Sequence, residues 1–248
     1  MAKYFIIITI YCLLCICGFA ALSEKPDGKK GKKDKKTQKV TQKISSVSKK
    51  RLWILLLAAF GLRAFFALQD VGFWFDVNCF KSWADATAYY GLNGMYHSGM
   101  FLDYPPGYMY VLALTNILQT VFNLDYYSVI YTFIIKLPAM LADLAGACLI
   151  YKMANEKLDD KWALFLAGCY AFGPGLVFTS SIWGQIDSFY TLLMVLALYC
   201  ISKDDVAKAA VVYAMALITK PQALLFGPVL LFWVISKKVH ISERRTYL

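Results

Sequence analysis

Two aspartates set among aromatic residues are the side chains of this sequence best suited to chemistry. Asp76 follows Phe73-Trp74-Phe75, eight residues beyond an apolar run that ends at Leu68. Aromatic rings favour the headgroup level of a bilayer, so they would hold this carboxylate at a water–lipid boundary. Desolvation there raises a carboxylate's proton affinity and suits it to act as a general base. The same position also fits a plainer role, with Asp76 as the N-cap of a helix running from Val77 through Tyr90. Asp187 closes the tight link Ser181-Ile182-Trp183-Gly184-Gln185-Ile186 between two apolar runs. It can cap Ser188–Ile201 or pair with Asp76, while Trp183 and Gln185 could stack on and hydrogen-bond a sugar ring. An acidic pair of this kind could divide labour between two substrates or hold a divalent metal. Without a histidine or an Asp-x-Asp spacing, however, Asp76 and Asp187 make a sparse metal site.

Several further residues could contact a substrate. Arg63 lies near one end of its apolar run and Lys220 precedes Pro221; both are cations that could meet a phosphate. Snorkelling to the interface is the alternative for Arg63. His97 sits in a glycine- and serine-containing stretch. Asp103 and Tyr104 precede Pro105-Pro106-Gly107, a segment that turns the chain into a helix; capping is the plainer role for Asp103. Lys136 and Asp143 are seven residues apart, two turns on one helical face, so both can point into a bundle. Charges inside a span cost about 2.5–3.5 kcal/mol each, which marks them for attention. No motif demands a cofactor.

The elements that must position these groups are apolar helices. The 248 residues are 59% hydrophobic and 17% charged, against about 25% charged in a soluble domain. Apolar runs cover Tyr4–Leu22, Leu52–Leu68, Tyr108–Phe122, Ser128–Tyr151, Trp162–Ser181, Ser188–Ile201, Ala207–Thr219 and Gln222–Ile235. A span needs roughly 20 residues, so the last three are short. The expected fold is an all-α integral membrane protein, a multispanning helical bundle of about 6–8 apolar helices. Its long first extracytoplasmic loop should contain an interfacial helix, Tyr108–Phe122.

The net charge of +10 is concentrated in Ser23–Arg51, where twelve basic residues face three acids. This is a juxtamembrane segment rather than a nucleic-acid groove. Placing every basic loop in the cytoplasm puts Gln69–Asp125, Ser181–Asp187 and Lys220 on the opposite side. Residues 1–22 then act as an uncleaved apolar anchor, a signal-like segment being the alternative, and 23–51 as a polybasic linker. Six of the seven cysteines fall in apolar runs, which leaves no disulfide framework or zinc spacing.

Five pieces in order over residues 52–236 resemble a known family. They are Phe75-Asp76, Asp103-Tyr104-Pro105-Pro106-Gly107-Tyr108, Lys136-Leu137-Pro138 with Leu141-Ala142-Asp143, Ser181 through Ser188, and Thr219-Lys220-Pro221-Gln222. The family is the GT-C-type membrane glycosyltransferases that use polyprenyl- or dolichyl-phosphate sugars, in particular the bacterial branch similar to GPI-anchor mannosyltransferases. The resemblance implies an inverting hexosyltransferase, mannosyltransferase-like, moving a hexose from a polyprenyl-phosphate donor to an extracytoplasmic glycan, lipid or protein acceptor. Asp76 would be the general base, Asp187 a second acid, and Lys220 with Arg63 the donor-phosphate contacts. Residues 52–248 would be an incomplete GT-C-type catalytic domain in the plasma membrane of a bacterium or the endoplasmic reticulum of a eukaryote. The competing readings are a transporter or lipid flippase, motivated by Lys136, Asp143 and Arg63, and an inactive scaffold.

Overall fold

The computed structural model describes residues 46–69 and 72–246, with side chains for 47–69 and 72–236. The apolar anchor at 1–22, residues 23–45 of the polybasic linker and the side chains of 237–248 lie outside the described residues.

The described residues are helical, with no strand among them. Helix α1 covers Ser46–Gln69, α2 Trp74–Gly94 and α3 Pro106–Val121. Then come α4, Val129–Asn155; α5, Asp160–Ala171; and the short α6, Pro174–Val177, which runs into a π-helical stretch at Phe178–Trp183. The chain continues through α7, Asp187–Ser202; α8, Val206–Thr219; a 3-10 turn at Pro221–Phe226; and α9, Gly227–Thr246.

Local chemistry sets many of these boundaries. The side chains of Ser128, Asp159 and Asp205 accept from the backbone N–H of Tyr131, Trp162 and Lys208, which caps α4, α5 and α8. Pro106 and Pro174 open α3 and α6, where a missing N–H costs nothing.

Two expectations need correcting. The expected long first loop is largely helix before Pro105, because α2 fills Trp74–Gly94, in line with the alternative of a helix from Val77 through Tyr90. The expected 6–8 spans are not reached among the described residues. Only Val47–Gln69 and Val129–Asn155 are long and apolar enough to cross a membrane. A third crossing is available if Asp160–Ala171 and Pro174–Trp183 count as one span bent by 41°. The cause is visible in the sequence: Gly173-Pro174 breaks one apolar run, and Lys203-Asp204-Asp205 and Lys220-Pro221 bound the others below span length.

The interior has three main parts. Phe80, Trp83, Tyr108, Leu112, Tyr131 and Ile135 join α2, α3 and α4. Leu56, Ala59, Ala147 and Ala171 join α1, α4 and α5. Ala197, Ile201, Ala209 and Leu230 join α7, α8 and α9. Meanwhile Trp53, Leu57 and Phe65 on α1 and Phe232 on α9 stay exposed, as lipid-facing residues of a membrane protein do.

Candidate functional site

The start of α2 and the turn after the π-helical stretch are docked onto each other. Phe73 N–H donates to the Trp183 carbonyl at 2.8 Å, and the Phe73 and Trp183 rings pack 5.2 Å apart. Two glycines permit this approach. Gly72 and Gly184 have φ of 87° and 93°, values that suit glycine. A Cβ on Gly72 would sit 2.7 Å from the Trp183 carbonyl oxygen, and one on Gly184 would sit 3.0 Å from Val77. The wide π-turn brings Gly184 N–H and Gln185 N–H onto the Thr179 carbonyl, at 3.0 and 2.9 Å. From below, the fully buried Lys136 ammonium donates to the carbonyls of Ser181 at 3.0 Å and Ile182 at 3.4 Å.

This docking brings Asp76 to the far loop. Its carboxylate accepts from Trp183 Nε1 at 2.8 Å and from Gln185 Nε2 at 2.6 Å. Asp76 is not the N-cap of α2; Phe73 holds that position without a side-chain cap, and Asp76 lies in the first turn. A negative charge there complements the helix dipole. Asp187 is likewise not a cap, since Ile186 precedes α7 in that position. Its carboxylate instead accepts from the Lys220 ammonium, which is 7% exposed at the end of α8.

Tyr104 joins the two acids. Its hydroxyl donates to Gln185 Oε1 at 3.3 Å, and Lys220 Nζ stands 5.4 Å from its ring centroid. Burial, reinforced by the charges of Asp187, Asp103 and Asp76, pushes the Tyr104 phenol well above its ordinary range. It therefore stays protonated and remains a donor. The resulting chain of contacts runs Asp76–Gln185–Tyr104–Lys220–Asp187, with Trp183 at one end. Chemically it presents a partly exposed indole, two carboxylates and an amide on one surface.

Other candidates fall elsewhere. Arg63 and Asp143 form an ion pair at 3.1 Å with both side chains fully buried. Arg63 Nη1 also donates to the carbonyls of Ala171 at 2.6 Å and Ala59 at 3.3 Å. It therefore neither snorkels nor joins the outer network, because its Nε is engaged by Asp143 and its Nη1 by the C-terminal end of α5 just before the break. His97 ends a 3-10 turn and is exposed, as is Asp103. Among the described residues, no three His, Cys, Asp or Glu side chains group as metal ligands.

Sequence reasoning missed three contributors. Lys136 as a loop anchor, Tyr190 with Lys220 5.6 Å from its ring centroid, and the glycine pair Gly72 and Gly184 all act through tertiary contacts. Only the glycines left a sequence signal, by preceding bulky aromatic or polar residues in turns.

Residues 67–247 match the family described as the GPI transamidase subunit PIG-U. No curated protein and no solved structure matches the chain. The match covers most of the sequence, so the chain belongs to the PIG-U family. This overturns the expected hexosyl transfer from a polyprenyl-phosphate donor and the glycosyltransferase assignment with it. The family is a component of a protein-processing complex. PIG-U is distantly GT-C-like, so the resemblance holds only at that coarse level.

Proposed function

We propose that this chain works as a membrane-embedded subunit of a GPI transamidase assembly in the endoplasmic reticulum membrane, held beside protein partners. The family match over residues 67–247 carries this reading. The apolar surfaces of α1 and α9 fit a lipid or subunit environment rather than water.

Within such an assembly the docked loops would form a rigid cap facing substrate on the non-cytoplasmic side. Trp183 supplies an exposed ring for stacking, Asp76 and Gln185 supply hydrogen bonds to hydroxyls, and Tyr104, Lys220 and Asp187 hold the far side of the cap. Exposed Asp103 and His97 would lie at its rim. Placement on that face rests on the basic loops being cytoplasmic. Helix α3 would lie along the interface: Tyr110, Leu114, Ile117 and Val121 recur at helical spacing and are exposed and largely apolar. Residues 1–22 would act as an anchor and 23–51 as a linker along the anionic leaflet, with residues from 52 onward forming the helical domain.

The test is complementation in cells depleted of this chain, reading GPI attachment to a secreted reporter protein. The intact chain should restore attachment. A Gln185→Leu variant that still assembles should restore it only partly. Undiminished attachment in depleted cells would overturn the proposal.

A further inference from the structure

The face of α2 turned away from Asp76 carries a second arrangement, which shares only Val77 with the docked loops. Trp74, Val77, Asn78 and Lys81 recur at helical spacing and line a cleft of about 140 Å³ together with Tyr127 and Thr132. Lys81 is 4% exposed. Its ammonium donates to the Tyr126 carbonyl at 2.8 Å and to Thr132 Oγ1 at 2.9 Å, and stands 5.3 Å from the Tyr126 and Tyr131 ring centroids. An ammonium carries three protons, and these two hydrogen bonds use two of them. The half-buried Asn78 carboxamide makes no hydrogen bond to a described residue, and it borders the same space.

Asp125 and Asp85 are the acids that act on Lys81, yet neither lines the cleft. Asp125 accepts from Tyr127 N–H at 2.8 Å and Asp85 from Asn116 at 2.9 Å. Thr132 lies in the first turn of α4, whose helix dipole adds positive potential at this end. Because α4 is a candidate membrane span, its first turn marks the headgroup level. Trp74 and Tyr127, 72% and 81% exposed, stand at the rim as interfacial aromatics do.

We infer that this cleft binds the phosphodiester of a bilayer phospholipid. Lys81 supplies the cation and Asn78 an amide donor, Thr132 fixes the ammonium, and the rings of Trp74 and Tyr127 flank the glycerol and upper acyl chain. Neither Lys81 nor Asn78 takes part in the loop cap, so either reading can fail alone.

The test is native mass spectrometry of the full chain in detergent. Its arms are phosphatidylglycerol, diacylglycerol with the same acyl chains, and inorganic phosphate. Phosphatidylglycerol adducts should form, and Lys81→Gln should reduce their occupancy about tenfold, as expected for a lost charged hydrogen bond. Lys81 also ties α2 to α4, so Asn78→Leu is the control that spares the fold. It should melt like the parent chain and still lose several-fold in occupancy. Full occupancy in a normally melting Asn78→Leu variant would overturn the proposal. So would equal retention of diacylglycerol, which would make the cleft a site for acyl chains alone, or equal binding of inorganic phosphate, which would make it a site for the free anion.

Discussion

The Arg63–Asp143 pair and the Asp76–Asp187 network both use charge, yet they sit in opposite environments. The first is sealed among α1, α4 and α5, with both side chains wholly buried. The second spans two loops and two helix ends, and its Asp187 carboxylate is 43% exposed. Inside the bundle the ions are cut off from water, so the pair is committed to holding helices. At the end of the bundle each acid meets water as well as protein, so the network can yield to a ligand. Buried charge in the apolar spans here joins helices, whereas charge on the docked loops stays open to solvent.

The largest effect should come from unpairing the buried ions. Asp143→Leu leaves the Arg63 guanidinium without its counter-ion and should destabilise the protein by about 3–5 kcal/mol. The double variant Arg63→Met with Asp143→Leu should recover a large part of that loss. Thermal melting in detergent would read both, and equal melting of the single variant and its parent would place the pair outside the stabilising core.

Next comes the joint beneath the loop network. Gly72→Ala puts a Cβ against a backbone carbonyl at 2.7 Å and forces a positive φ on alanine. We expect about 2–3 kcal/mol of destabilisation and greater access of iodide to Trp183, measured by fluorescence quenching of a chain retaining that tryptophan alone. A smaller loss, about 1 kcal/mol, is expected for Gln185→Leu, which removes the charge-assisted hydrogen bond to Asp76 and the acceptor of the Tyr104 hydroxyl from a half-exposed site. Its signature is also increased Trp183 quenching, with melting little changed.

The smallest effect concerns an exposed pair far from both centres. Glu156 is held below the ordinary carboxylate range, first by its hydrogen bond from Lys203 at 2.5 Å. A depressed carboxylate stabilises the fold above its unfolded value and ceases to do so as pH falls through its folded one. Glu156→Gln should therefore melt slightly below the parent at neutral pH, and the two should converge in acid. A gap that widened in acid would mean that the pair plays the opposite role.

The helices were largely legible because their signals are local. Apolar runs, the Pro106 start and the break at Gly173-Pro174 each act within a few residues. The span count was not legible, since an apolar run of fourteen residues reads alike whether it crosses a bilayer or packs within a bundle. The two acids were visible as candidates, but their partners were not. Asp76 meets Trp183 and Gln185 across separations of 107 and 109 residues, which no spacing rule connects. Arg63 likewise read as an interfacial cation until its partner, 80 residues away, was in place.

By itself the sequence determined that the chain is helical and membrane-bound, because composition and hydropathy set the solvent that each segment tolerates. It also fixed where backbone direction could change, through proline and glycine. Only the tertiary structure decided which charges cancel and which remain available. That choice depends on distances between helices far apart along the chain, and these are settled by packing the whole bundle at once.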